Sequence, residues 1–189
     1  TTHYSIVDQF GNAVSITTTL NANYGSKVVV GDAGFLLNNE MDDFSSKPGV
    51  PNAYGLVGNE ANAIAPEKRP LSSMTPSFVE SDDQVAILGT PGGSRIITTV
   101  LQVLLNRLVH GLNLASAVAE PRIHSQLWPD QISIEQGISP DTLTLLEQRG
   151  HVVKLVPAMG SANSVEVRYG AGPRAGVIAG SLGTADPRR

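Results

Sequence analysis

Hydrophobic and polar positions alternate along the first twenty residues, in THYSIVD and again in AVSITTTL. A period of two marks a strand with one covered face. β-Branched residues fill both runs, and Gln9-Phe10-Gly11-Asn12 between them is turn-forming. The pattern predicts strands over 2–8 and 13–20 joined as a hairpin. Shorter strand signals recur near 28–30, 34–37, 76–80 and 85–89. Residues 45–70, rich in Pro, Gly, Asn and Ala, show no period and predict a long loop, either functional or disordered. Residues 94–109, SRIITTVLQVLLNRLV, are apolar on nearly every side, which predicts a buried helix stopped by Gly111. Asn113 is placed to cap a second helix that ends before Pro121. Ser139-Pro140-Asp141 opens a third helix with a cap, a first-turn proline and an acid at the positive end of the dipole. Gly150 closes it, and strands near 151–156, 163–168 and 175–179 follow. Strands, then helices, then strands again indicate a layered α/β or α+β sandwich.

The hairpin register bears on chemistry. A loop of two to four residues around Phe10-Gly11 sets Thr1 opposite residue 20, 21 or 22. In the central register Thr1, His3, Ser5 and Val7 lie across from Asn21, Thr19, Thr17 and Ser15. Tyr4, Ile6, Val14, Ile16 and Leu20 share the other, apolar face, which should hold the register. The odd face gathers a hydroxyl and an amine on Thr1 with Thr19 and Asn21. An alcohol becomes a nucleophile when a base takes its proton, and the α-amine of the same residue can do so. Its reference pKa, about 7.7–8.0, suits a general base. Thr19 and Asn21 would orient the pair. The plainer reading makes the odd residues the wet face of an edge hairpin, where Thr is a favoured strand residue.

Composition narrows the classes. A chain of 189 residues suits one domain with a sizeable core. Its 13 Lys and Arg form no run, and the net charge of −4 argues against a nucleic-acid partner. No apolar stretch is long enough to span a bilayer. The absence of cysteine excludes disulfides, thiolate catalysis and a thiolate zinc site. Histidines at 3, 110, 124 and 151 have no ligand spacing, so no metal is expected, and no acid is placed to orient His3 as a base.

Three other stretches carry chemistry. NNEMDDF (38–44) sets Glu40, Asp42 and Asp43 together, with too few oxygen ligands for a calcium loop but suited to an ammonium group or to water. RPLSSMTPS (69–77) offers Ser72 and Ser73 to a carboxylate, unless it is an ordinary serine-rich turn. In GTPGGSR (89–95), Gly92 and Gly93 before a helix start present backbone N–H groups to an anion. The stretch lacks the Gly-Lys-Ser/Thr end of a phosphate loop, and an oxyanion hole for acyl transfer needs such donors.

TTHYS…TTTLNANYG, LLNNEMDDFS, KPGVPNAYGLVG, RPLSSMTPS, GTPGGSRIITTVLQ, EPRIHSQLWPD, GISPDTLTLLEQRGH and the terminal ADPRR together resemble, in order and spacing, the small subunit of bacterial γ-glutamyltranspeptidases. The resemblance covers essentially the whole chain. It implies an α+β fold, the αββα sandwich of N-terminal nucleophile hydrolases, with residues 1–189 supplying one part and a large subunit the rest. It also implies a precursor that cleaves itself before Thr1, so that the threonine start, without a leader, is a processed end. Thr1 would then attack the γ-amide of glutathione or another γ-glutamyl donor and pass the γ-glutamyl ester to water, an amino acid or a dipeptide. By the same resemblance Thr19 and Asn21 support Thr1, Glu40 and Asp43 hold the donor's α-ammonium, and Ser72 and Ser73 hold its α-carboxylate. Gly92 and Gly93 supply the oxyanion hole. Residues 48–59 are the lid loop, with Tyr54 as its gating aromatic. No cofactor is implied, the compartment is the periplasm or the exterior, and a donor-binding arginine lies on the large subunit. Two alternatives stand beside this reading: a glutaryl-cephalosporin acylase type of amidohydrolase, and a non-catalytic γ-glutamyl binding chain.

Overall fold

The computed structural model describes residues 1–170 and 178–188. The alternating segments form strands β1 (Thr2–Val7) and β2 (Ala13–Thr18), paired antiparallel with His3 opposite Thr17 and Tyr4 opposite Ile16. Continuing that pairing sets Thr1 beside Thr19, not opposite residue 20, 21 or 22. The turn explains the difference. Asp8 closes it early: its N–H donates to Asn12 O (3.0 Å), and its carboxylate accepts from the N–H groups of Phe10 and Asn12 at 2.8 Å each. The register therefore sits two residues from the central expectation, and a slip of two leaves every side chain on its predicted face.

The two faces are used in the opposite sense to the wet-face reading. His3, on the polar side, is 2% exposed, whereas Tyr4 and Ile6, on the apolar side, are 40% and 52% exposed. The polar face turns inward because its hydroxyls find acceptors there. Ser5 Oγ donates to the carbonyls of Ile87 and Asn163, and Ser15 Oγ to that of Leu88, each at 3.3 Å. Buried polar groups are tolerated when paired in this way.

A first short hairpin joins β3 (Val29–Val30) to β4 (Phe35–Leu36). Next come β5 (Ser77–Glu80), β6 (Gln84–Leu88), helix α1 (Arg95–Leu108) and helix α2 (Leu114–Ala119). Asn113 caps α2 as expected, its side chain accepting from Ser116 N at 2.9 Å. Two short strands that the sequence pattern did not reveal follow, β7 (Ile123–His124) and β8 (Ile132–Ile134). Helix α3 (Pro140–Gln148) starts with its proline in the first turn, although the Ser139 side chain makes no capping bond. It crosses over to β9 (Val153–Leu155), which lies parallel to β8. The chain closes with β10 (Ser164–Tyr169) and β11 (Ile178–Thr184). Of the strand expected near 175–179, residues 175–177 lie outside the described residues, as does Arg189.

The main sheet has the order β11-β10-β6-β5 and is antiparallel throughout. Its core joins Leu88 to Ile96, Val100 and Val103 of α1, Ala117 and Val118 of α2, and Ala162. α1 is not buried on all sides as predicted: Ile97, Leu101, Leu105 and Leu108 are exposed within this chain. The other face alone packs on the sheet. No helix among the described residues is long and apolar enough to cross a membrane.

A charged network locks the C-terminal end. Arg122 Nη2 meets Asp186 Oδ2 at 2.7 Å, and Arg188 bonds both Glu135 (2.8 Å) and Asp186 (3.0 Å). The Asp186 side chain is wholly buried, and Ala162 N also donates to it at 2.7 Å. These pairs join the segment after α2, β8 and the C-terminal end into one unit.

Candidate active site

The N-terminal end of β1 opens onto a cavity of about 330 Å³ lined by Thr1, Thr19, Asn21, Asp43, Tyr54, Ser72, Ser73 and Gly93. Thr1 Oγ1 lies 2.9 Å from Thr19 Oγ1, a direct result of the register that sets the two residues side by side. The Thr19 hydroxyl also accepts from Asn21 N at 2.9 Å, so it is free to donate to Thr1. Asn21 has φ of 70°, a costly backbone state for a residue with a side chain. Its side chain donates to Asn39 O at 3.1 Å. Asn21 thus meets the hydroxyl pair through its backbone, and ties that pair to the acidic segment through its amide.

The acids stand where a 3-10 turn, Glu40–Asp43, follows Asn39. Burial pushes the Glu40 carboxyl above its ordinary value, and a hydrogen bond and charge from Asp43 push it further; the Thr1 amine pulls the other way. Burial also raises Asp43, against the hydrogen bond it receives from Glu40. One oxygen of Glu40, Oε1, is buried and has no hydrogen-bond partner among the described residues. Asp43 lines the cavity and Glu40 stands behind it, outside the lining, so a cation in the cavity would meet Asp43 first.

Asn62 fixes the acidic segment against the serine segment. Its Nδ2 donates to Asp43 O (2.7 Å) and its Oδ1 accepts from Leu71 N (2.9 Å). Ser72 and Ser73 follow Leu71 directly. Ser72 Oγ accepts from Met74 N at 3.2 Å, which leaves its proton available.

Gly92 and Gly93 connect β6 to α1 with φ of 140° and 59°, conformations that favour glycine. Their carbonyls accept from the first turn of α1, at Arg95 N and Ile96 N. Their own N–H groups have no acceptor among the described residues. Gly93 lines the cavity with Thr1, and Gly92 opens onto a second cavity of about 410 Å³ on the far side of Tyr54.

Residues 48–59 are more ordered than the aperiodic sequence suggested. Gly49 N donates to Gly58 O and Asn52 N to Leu56 O, both at 2.9 Å, making a small hairpin. Asn52 Oδ1 accepts from Tyr54 N and Leu56 N and shapes its tip. The ring of Tyr54 lies on Gly93: a β-carbon placed there would be 2.7 Å from Cε1. Burial raises the Tyr54 phenol, and the charges of Asp43, Asp42 and Glu40 add to the effect.

His3 is not poised for catalysis. It is bonded to Thr17 and Ser5 (2.8 and 3.0 Å), and burial lowers its pKa. Ser5 donates to backbone carbonyls, so His3 Nε2 carries the proton and Nδ1 accepts from Thr17. Residues that the sequence did not single out, Asn39, Asn62 and Gln126, hold the parts of the site together.

A gamma-glutamyltranspeptidase family model matches residues 1–189. The chain is 58% identical over 168 residues to the glutathione hydrolase proenzyme of Escherichia coli K12, covering 88% of this chain and 29% of that protein. The chain belongs to the gamma-glutamyltranspeptidase family. It therefore spans less than a third of the length of that relative. Among solved structures, an acivicin-inhibited gamma-glutamyltranspeptidase superposes with a TM-score of 0.92 at 50% identity, covering 100% of this chain and 99% of the other. A mutant of Helicobacter pylori gamma-glutamyltranspeptidase gives 0.92 at 49%, with 100% of both chains covered. The fold is thus the α+β fold of this family.

Proposed function

We propose that this chain carries the nucleophile of a γ-glutamyltransferase and glutathione hydrolase, completed by a large subunit from the same precursor. The observation that carries the reading is the Thr1–Thr19 hydroxyl pair at 2.9 Å in a cavity whose other polar walls include Asp43, Ser72, Ser73 and Gly93. Names of the relatives support it: they are glutathione hydrolase proenzymes and gamma-glutamyltranspeptidases. Thr1 Oγ attacks the γ-amide carbon of a γ-glutamyl donor while the Thr1 amine takes the hydroxyl proton. The oxyanion forms against the N–H groups of Gly92 and Gly93. The C–N bond then breaks, the proton passes to the leaving amine, and a γ-glutamyl ester remains on Thr1. Water or an acceptor amine attacks that ester and restores the hydroxyl.

Recognition of the donor follows from charge. Glu40 and Asp43 receive the α-ammonium, and Ser72 and Ser73 the α-carboxylate. The same hydroxyl, before cleavage, attacks the peptide carbonyl preceding it and releases the free amine, and water then hydrolyses the resulting ester to free the preceding carboxylate and the Thr1 hydroxyl. Together with the large subunit the chain completes an αββα sandwich, with residues 48–59 as lid, and the enzyme works in the periplasm or outside the cell. The acid pair favours an amino-acid head group over the glutaryl group of a cephalosporin acylase. Mass spectrometry of products from γ-glutamyl-p-nitroanilide, with and without glycylglycine, tests the reading. Glutamate alone, and γ-glutamyl-glycylglycine when the acceptor is present, are expected. Cleavage of glutaryl-p-nitroanilide with none of the γ-glutamyl donor would favour the acylase.

A further inference from the structure

The side-chain amide of Gln126 is fully engaged. Its Oε1 accepts from Ser94 Oγ (2.7 Å) and faces His124 Nε2 (3.0 Å). Its Nε2 donates to the carbonyls of Tyr54 and Trp128, each at 3.0 Å. Two carbonyl partners identify the amide nitrogen, so the oxygen faces His124, whose Nε2 must carry a proton. On the other side of that ring, Nδ1 lies 2.8 Å from Thr98 Oγ1 on α1. Four hydrogen bonds are all that a glutamine amide can make.

These bonds join three parts of the site. Ser94 and Thr98 belong to the start of α1, which follows Gly92-Gly93. His124 and Trp128 belong to β7 and the segment after it. Tyr54 is the tip of the small hairpin over the cavity. Among the described residues, the bond from Gln126 to Tyr54 O is the one hydrogen bond linking the tip, residues 51–57, to another part of the chain. Tyr54 and Ser94 line both cavities, so the ring of Tyr54 is the wall between the side that holds Thr1 and the side that holds Gly92 and Arg95.

We infer that Gln126 is the latch of the lid, a positioning residue that holds Tyr54 against Gly93 and thereby sets access to the ester on Thr1. The consequence for turnover rests on the γ-glutamyl chemistry proposed above; the consequence for lid motion does not. Freed from Gln126, the tip loses its anchor to the rest of the chain, and the internal bonds that protect its amides break and re-form more often about residues 48 and 59. The tip should open about tenfold more often, ~1.4 kcal/mol by the usual conversion.

The test uses the complete two-subunit enzyme with Gln126→Ala and Gln126→Glu. Glutamate has nearly the same size and keeps oxygens for Ser94 and His124, but it cannot donate to Tyr54 O. Hydrogen exchange by mass spectrometry in a peptide covering 49–58 should quicken about tenfold in both variants, with α1 unchanged. The ratio of hydrolysis to transfer at fixed glycylglycine should shift in both, and in a Tyr54→Ala background the Gln126 substitutions should have little further effect on it. The latch is overturned by a wild-type-like Gln126→Glu, by unchanged lid exchange, or by exchange that rises equally in α1. It is also overturned if the lid quickens while the product ratio of an active enzyme stays fixed. An enzyme without γ-glutamyl turnover in any form would sink the function instead, and the exchange data would still decide the latch.

Discussion

The imidazole of His3 occupies the space that a side chain on residue 89 would need: a β-carbon built on Gly89 falls 2.9 Å from Cγ of His3 and overlaps Nδ1 and Cε1. His3 is hemmed in by Thr17 and Ser5 and has no room to retreat. Gly89→Ala should therefore destabilise the enzyme by about 1–3 kcal/mol, the usual cost of overpacking. Because His3 is two residues from Thr1, kcat should fall as well. Thermal melts and steady-state rates on the same preparation check both effects.

Thr1→Ala should abolish turnover, and in the precursor it should prevent self-cleavage, since the proposed mechanism assigns one hydroxyl to both reactions. Thr19→Val keeps the shape of the side chain and removes the partner 2.9 Å from Thr1 Oγ1. A loss of about a hundredfold in kcat is expected, within the range for a group that helps proton transfer. Thr19→Ser should recover most of it. Single-turnover release of p-nitroaniline reads the acylation step directly.

Asp43→Ala should weaken binding of γ-glutamyl donors by about 1.5–3 kcal/mol, the value of a charge-assisted hydrogen bond. Glutaryl donors, which lack the amine, should lose little. The pH dependence follows from the raised carboxyls. As pH falls through their raised range, the pair takes up protons and kcat/KM for γ-glutamyl donors declines at a pH above the ordinary carboxylate values, about 3.9–4.3. Stability of the donor-free enzyme has the opposite sign. The folded pair holds protons that the unfolded chain has released, so its contribution is complete below the unfolded values and is lost as pH rises through the folded ones. Asp43→Asn should flatten that slope, and a pH series of melting temperatures measures it.

Asp186→Ala leaves Arg122 buried without its carboxylate and should cost about 3–5 kcal/mol. Burial alone would push the Asp186 carboxyl up, but Ala162 N and the Arg122 guanidinium outweigh it and hold it below the usual range. This contribution is present above the unfolded pKa and is lost as pH falls through the folded one. Urea unfolding at neutral and acidic pH should show the variant losing most of its deficit relative to wild type only at the acid end.

Elements with a short repeat were legible in the sequence. The alternation of β1 and β2, the cap at Asn113 and the proline start of α3 all lie where local pattern places them. Thr1, Thr19, Asp43, Ser72, Ser73 and Gly93, which the sequence singled out one by one, line one cavity, whereas Glu40 and Gly92 are not in its lining. The direction in which the hairpin faces was not legible. Apolar alternation reveals which residues share a side, but not that Ser5 and Ser15 would meet the carbonyls of β6. The register failed for a local reason, the closure of the turn by Asp8. The network of Arg122, Glu135, Asp186 and Arg188, and the reach of Gln126 to Tyr54, join residues too distant in sequence for any periodicity to register.

The inward hydroxyls of the first hairpin also determine how well the reacting parts keep their spacing. Thr1 immediately precedes β1, and Gly92 comes shortly after β6, so nearly half of the chain separates them along the backbone. Mechanically they are neighbours across one seam, where Ser5, Ser15 and His3 meet Ile87, Leu88 and Gly89. Drift in α3 or in the lid does not add along that route, because neither is a link in it. The Thr1 hydroxyl and the Gly92 and Gly93 amides are therefore kept in gauge by a joint a few residues wide, while much of the surrounding chain is left free to vary.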